Sequence, residues 1–474
     1  MTSVEKLAQF VCYASFESLS EAARLQLKIR VLDALGCAIG ALGGQPVALI
    51  RKHLEDFGGR PLTTLIGGKK TSPDRAAFYN GALIRYLDFN DSYLAKGETC
   101  HPSDNIGALL AAAEYANRSG RDFLTALGVA YQVFCRLCDE APVRSKGFDH
   151  TTLGSFAVAA GVSRALGLNP SQTANAIAIS GTAFNALRVT RTGALSNWKG
   201  LAFPNTGFAC THATFLAMRG ITGPPEVFEG NKGFMDVISG RFEIDWTKED
   251  LERVNRTILK KYNAEIHSQS VLEAVLDLQR QAGFKASAIE GIEIEVFDVA
   301  YNIIGGGEEG SKILVRTKEE ADHSLPYMVA TAVLDGQVMP QQYLPEQIGR
   351  EAVQTLLRKV TVRPNQAFSD RFPEEMPCRV TVRLPGGHVL VKEGRDYEGF
   401  HTRPFSWETV LGKFQRLSES YASASLRRKI SEAVRDLENI AICDLMKLLA
   451  KVKTPVEGRV ETAGAGNESK SQEG

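Results

Sequence analysis

From about residue 20 to residue 220 the chain repeats one pattern: an apolar stripe at helical spacing, a break, and another stripe, with Gly, Ala and Ser sharing the faces to be buried. Ala22, Leu25, Ile29, Leu32 and Leu35 follow Ser20-Glu21 and run to Gly43-Gly44. The stretch 105–116 is rich in Ala, 152–166 stops at Gly167, Asn169-Pro170-Ser171 opens the next helix, and 208–218 is helical again. Small residues on inner faces let helix axes approach closely, so the pattern predicts a dense helical bundle rather than helices laid on a sheet.

After about residue 285 the period changes. Ile292, Ile294 and Val296 alternate with Glu293 and Glu295, Val360 and Val362 flank Thr361, and 379–391 reads as a hairpin turning at Pro385-Gly386-Gly387. Helical patterning lies between them at 325–334 and 348–357, and returns over 407–449. A length of 474 residues exceeds what one core serves, so two domains are expected. The fold class is mainly α: a large all-helical domain formed from both chain ends, with an α+β unit between. The boundaries are 1–266 and 403–454 for the helical domain, 267–402 for the α+β unit, and 455–474 for a disordered tail poor in apolar residues. No internal repeat is present.

Lys plus Arg equals Asp plus Glu at 55 each, which argues against a nucleic-acid partner and leaves an anionic ligand to a few local cations. No stretch approaches the roughly 20 apolar residues that span a bilayer, and the first residues lack a signal-peptide layout. The eight cysteines are scattered and read as reduced thiols, so no membrane and a cytoplasmic location are expected.

Functional residue types concentrate in three places. Asp88 and Asp91 stand one helical turn apart just before His101-Pro102-Ser103, where Pro and Ser suit a helix start whose free N–H groups attract a carboxylate. The plainer reading there is a capped helix with two solvated acids. Arg188, Arg191 and Lys199 share a polar, Gly-containing stretch read as a loop between helices, either a carboxylate-binding loop or a solvated basic one. Of eight histidines, His101, His150, His267 and His323 sit in polar settings at element boundaries, which suits titration; His53, His212, His388 and His401 read as structural or solvated. Cys135-Arg-Leu-Cys138 has metal-type spacing, but no third cysteine is placed with it, and the expectation is no metal and no other cofactor. Gly305-Gly306-Gly307-Glu308-Glu309 has the glycines of a phosphate loop without its Lys and Ser/Thr, and reads as a flexible loop.

Taken in order, Val31-Leu-Asp-Ala-Leu-Gly36, Arg85-Tyr-Leu-Asp88-Phe-Asn-Asp91-Ser92, His101-Pro-Ser-Asp-Asn105, His150-Thr-Thr, Trp198-Lys199-Gly200, Ala264-Glu-Ile-His267-Ser-Gln and Ala321-Asp-His-Ser-Leu-Pro-Tyr327 resemble the 2-methylcitrate dehydratase and cis-aconitate decarboxylase family (MmgE/PrpD) over roughly residues 5 to 450. The resemblance implies that the α+β unit is a lid inserted into the helical domain, a homodimer, and a cofactor-free cleft for a small tricarboxylate. It also implies that Asp88, His101, Lys199 and His267 are catalytic. Ser92, where many members have Thr, joins Asp91, His150, Arg188, Arg191 and Tyr327 as substrate contacts. The segment between Ser92 and His101 is long, as in the dehydratase branch, so the expected reaction is dehydration of 2-methylcitrate to 2-methylaconitate. Its alternatives are cis-aconitate decarboxylation, isomerisation of a related acid, and a non-catalytic binding protein. In the mechanism expected, His101 or Asp88 moves the proton, with Asp88, as an acid raised by burial, the alternative to His267. Lys199, the arginines and the helix start after His101 hold carboxylates, and His267 protonates the leaving hydroxyl or orients the substrate.

Overall fold

The computed structural model describes residues 1–193 and 195–453. The tail expected at 455–474 lies outside them. The protein is mainly helical. Ser20 opens Glu21–Gly40 by accepting from the Ala23 N–H at 3.1 Å. Thr151–Leu166 ends at Gly167, whose φ of 73° is the left-handed conformation that closes helices. Asn169 caps Pro170–Ala183 by accepting from the Gln172 N–H at 2.9 Å. The small inner residues do bring helices together: a Cβ at Gly107, in Ile106–Tyr115, would sit 2.5 Å from the backbone nitrogen of Gly81 in Pro73–Tyr86. That contact leaves no room for any side chain.

One element differs from expectation. The helix ending at Met218 begins at Trp198, ten residues before the expected start, so Lys199 sits in a first helical turn and not in a loop. Gly200, Pro204 and Gly207 dilute the apolar stripe over the two turns where the pattern should show.

The four-stranded sheet runs Val360–Pro364, Gly291–Val296, Cys378–Leu384, His388–Gly394 from edge to edge. The first pair is parallel, with Ile294 opposite Val362, and the others are antiparallel, with Ile294 opposite Val380. The hairpin turns at Pro385–Gly387, where both glycines have φ of 76°. Buried apolar residues fall into two clusters. One draws on residues 4–259 and 405–452, the other on 258–400.

A buried lysine fastens the returning helix Trp407–Ser418 to what precedes it. Lys413 Nζ donates to the Phe89 carbonyl at 2.7 Å and the Lys260 carbonyl at 3.0 Å, and pairs with Asp33 at 2.7 Å. Ser92 and Ile258 exchange backbone hydrogen bonds, both 2.8 Å. The loop after Pro73–Tyr86 and the strand-like 258–260 segment are thereby held side by side, and between them they carry much of the site. No single helix among the described residues is long and apolar enough to cross a membrane.

Candidate active site

A cavity with about 520 Å3 of space between atoms, part of it open to solvent, is lined by residues from 85–191 and from 260–323. Its walls include His101, His150, Arg144, Arg188 and Arg191 from one side and Lys260, Glu265, His267, Glu309 and His323 from the other. Four of the chain's eight histidines thus face one space, although up to 222 residues separate them in sequence, from His101 to His323.

Three of the four imidazoles are held at Nδ1, His150 being the exception. His101 Nδ1–H donates to the Asp91 carbonyl at 2.8 Å with the Ser92 hydroxyl 3.0 Å away, so Nε2 keeps the lone pair and is left for a ligand. Burial and then the Arg85 charge hold its pKa well below the usual histidine value. His150 is likewise driven down, to about 3, chiefly by burial. His267 Nδ1 lies 2.7 Å from Glu265 Oε1, and its ring rests on Phe297 and Phe372. The Nε2 atoms of His150 and His267 are buried without a hydrogen-bond partner, as is one terminal nitrogen of Arg191. Buried polar atoms are nearly always paired, so these three atoms of cavity-lining residues are free to pair with water or with a polar ligand.

The acids divide by environment. Asp88 has φ of 52°, a left-handed conformation for a non-glycine residue. Its carboxylate meets Arg85, Lys260 at 2.7 Å and Lys199 at 3.3 Å. Burial pushes its pKa up, but Arg85, Lys260 and Lys199 outweigh that and hold it well below the usual carboxylate range. This overturns the expectation of a raised, proton-donating Asp88. Glu98 is the cavity acid that burial does raise, to about 7, even though it accepts the backbone N–H groups of Thr99 and Arg144 at 3.1 and 2.9 Å. Glu265 is held down to about 2: burial opposes ionisation, and the neighbouring His267 overcomes it.

Lys199 does not line the main cavity. It stands in a smaller neighbouring cleft behind Asp88, with Asp322 at 3.0 Å and His323 Nδ1 at 2.9 Å. Asp88, Asp322 and His323 have the mutual spacing of a cation site, and the Lys199 ammonium reaches all three.

The expected site residues therefore separate. Asp88, His101, His150, Arg188, Arg191 and His267 share the cavity, while Ser92 and Lys199 act on it through His101 and Asp88. Asp91 points elsewhere, accepting from the Tyr131 hydroxyl at 2.7 Å and the Ser103 N–H at 3.0 Å. It occupies the helix start that was expected to hold a substrate carboxylate. Tyr327 is buried away from the cavity and donates to the Gln342 carbonyl at 2.5 Å. The third cysteine that spacing failed to show is Cys100, whose thiol neighbours Cys135 and Cys138. Burial raises all three thiols, Cys138 to about 12, so they are protonated and pack as small apolar groups.

Sequence reasoning missed Arg85, Lys260, Arg144, Glu98 and Glu309. Lys260 lies in Leu259-Lys260-Lys261, where nothing distinguishes a buried lysine from the half-buried one beside it. Glu309 belongs to the Gly-rich stretch, whose function the missing phosphate-loop lysine obscured.

Comparison with known proteins agrees with this picture. The MmgE/PrpD N-terminal domain matches residues 5–247 and the MmgE/PrpD C-terminal domain residues 262–439. A mitochondrial 2-methylcitrate dehydratase of Yarrowia lipolytica is 28% identical over 453 residues, 89% of this chain and 85% of that protein. The 2-methylcitrate dehydratase of Escherichia coli K12 is 29% identical over 75% of this chain and 76% of its own length. The cis-aconitate decarboxylase of Mus musculus is 25% identical over 90% and 88%. With both domains matched across most of the described residues, the chain belongs to the MmgE/PrpD family.

Proposed function

We propose that this protein is a lyase acting on a small tricarboxylate, and that the reaction is dehydration of 2-methylcitrate to 2-methylaconitate. The observation that carries the reading is the gathering of His101, His150 and His267 with Arg144, Arg188 and Arg191 around one cavity. A proton beside a carboxylate is weakly acidic because its removal adds charge to an anion, so the reaction needs a placed base and cations over the carboxylate.

In this reading His101 Nε2 takes the carbon-bound proton. The electron pair left on carbon forms the new double bond as the C–O bond breaks, and His267 Nε2 protonates the departing hydroxyl, which leaves as water. Glu265, ionised beside His267, stabilises the imidazolium before the transfer. Arg188 and Arg191 hold carboxylates, with Asp149, 2.7 Å from Arg191 Nε, setting their position. Asp88 shapes the base side of the cavity by balancing the charges of Arg85 and Lys260, and Lys199 ties it to Asp322. Residues 267–402 form a lid over this site, and the protein is a cytoplasmic homodimer needing no metal or other cofactor.

Decarboxylation of cis-aconitate is the second reading, favoured by the 25% identity to the mouse decarboxylase across 90% of this chain. Loss of CO2 leaves a related carbanion in the same cationic cavity. Incubation with 2-methylcitrate, citrate and cis-aconitate separates the readings. Rising absorbance of an unsaturated product with 2-methylcitrate and no CO2 supports dehydration, CO2 from cis-aconitate supports the second reading, and no turnover of any of them contradicts both.

A further inference from the structure

The stretch Gly305-Gly306-Gly307-Glu308-Glu309-Gly310 has no part in the chemistry above, yet it sends one side chain into the cavity. Glu309 Oε1 lies 3.2 Å from Arg188 Nη2 and 3.8 Å from Arg144 Nη2. It reaches them from a turn bounded by Gly306 and Gly310, with φ of 106° and 86°, and tethered by the Glu309 N–H to the Asn302 carbonyl at 3.0 Å.

The other cavity cations have fixed counter-ions. Arg85 and Lys260 face Asp88, and Arg191 faces Asp149, which is wholly buried. Among the described residues the Arg144 guanidinium has no other carboxylate within 4.0 Å, the Glu98 carboxylate binding only the Arg144 backbone N–H, and the Arg188 guanidinium has only Asp149, at 3.9 Å. Arg144 and Arg188 are thus the two cations whose close counter-ion rides on a glycine-flanked turn. A tricarboxylate brings three negative charges to walls whose own charges nearly cancel. Moving Glu309 aside uncovers two positive charges with guanidinium geometry suited to a carboxylate.

We infer that Glu309 is an internal stand-in for a substrate carboxylate: it occupies the Arg144–Arg188 clamp in the empty protein and is displaced when a tricarboxylate binds. The inference rests on the tricarboxylate reading and adds a residue that sets affinity. A clamp open about a tenth of the time weakens apparent binding about tenfold. Neutralising Glu309 removes that competition. A residue that merely braced the arginines would act in the opposite sense, because its loss would disorder the clamp.

Titration calorimetry of the full chain with propane-1,2,3-tricarboxylate, which has no hydroxyl to lose, tests this independently of turnover. Glu309→Gln is expected to bind it about tenfold more tightly than the unaltered protein, and Glu309→Asp to fall between. Adding Arg188→Gln to Glu309→Gln should abolish the gain, with thermal melting checking that each variant folds. Equal or weaker binding by both Glu309 variants overturns the inference and leaves the tricarboxylate reading standing. Absence of binding by every form, the unaltered protein included, overturns both.

Discussion

Glu265 Oε1 stands 2.7 Å from His267 Nδ1, and the far nitrogen of the same ring is buried with no partner. One edge of the imidazole is anchored by an anion and the other has no protein partner, which is the arrangement proposed for the general acid. Glu265→Gln removes the anion and keeps the shape. The expected result is a fall in kcat of about a hundredfold with KM changed less, because the lost interaction matters most as the hydroxyl departs. Steady-state kinetics on the substrate found by the panel checks this.

His101→Asn is expected to lower kcat/KM by about 10²–10⁴-fold, the range for loss of a positioned base. Ser92→Ala should cost far less, since the Asp91 carbonyl still fixes the ring. Burial and Arg85 lower the pKa of His101, so the ring stays neutral as pH falls through the usual histidine range near 6.5. The acid limb of kcat/KM is therefore expected below pH 6.5, and a midpoint above that would contradict the assignment.

Lys199→Ala leaves Asp88 and Asp322 as buried anions with one cation fewer each. Breaking a buried pair from one side costs about 3–5 kcal/mol, so urea unfolding should show a large loss of stability together with lost activity. A variant with normal stability and impaired turnover alone would show that Lys199 acts on the substrate directly.

Glu98 gives a pH-dependent signature. Its native pKa of about 7 lies above the unfolded value of 4.5, so the folded protein holds the proton more tightly. That contribution is complete below pH 4.5 and is lost as pH rises through 7, by about 3 kcal/mol at most. Glu98→Gln should be insensitive to this window, so the stability of the unaltered protein relative to it falls between pH 4.5 and 7. Parallel unfolding curves for the two proteins across those pH values would contradict the buried acid.

Much of the architecture was legible because its signals are local. The caps at Ser20 and Asn169, the closing Gly167 and the alternation at Ile292–Val296 each show in a few neighbouring residues. The four boundary histidines were legible for a similar reason: polar neighbours at element ends keep a histidine out of a core. What could not be read depends on contacts between distant segments. Asp91 has the same neighbours in sequence whether it faces a substrate or, as here, Tyr131 and the Ser103 N–H. Whether Asp88 is raised or lowered depends on Lys260, 172 residues away. Cys100 joins Cys135 and Cys138 only because a short two-stranded turn, Tyr93–Leu94 with Thr99–Cys100, folds onto the helix Gly120–Glu140. Tyr327 resembled a ligand contact by its neighbours in the chain, and its hydroxyl is consumed by a backbone carbonyl.

The fastening at Lys413 has a consequence for how the protein comes into being. During synthesis Asp33, Phe89 and Lys260 all leave the ribosome well before Lys413 does, and until it arrives a buried carboxylate and two carbonyls wait for one ammonium group. Lys413 is then the last of these groups to join the loop at Phe89 to residue 260. Every residue that lines the cavity is therefore made before the lysine that ties together the segments around it, and that lysine does not itself line the cavity.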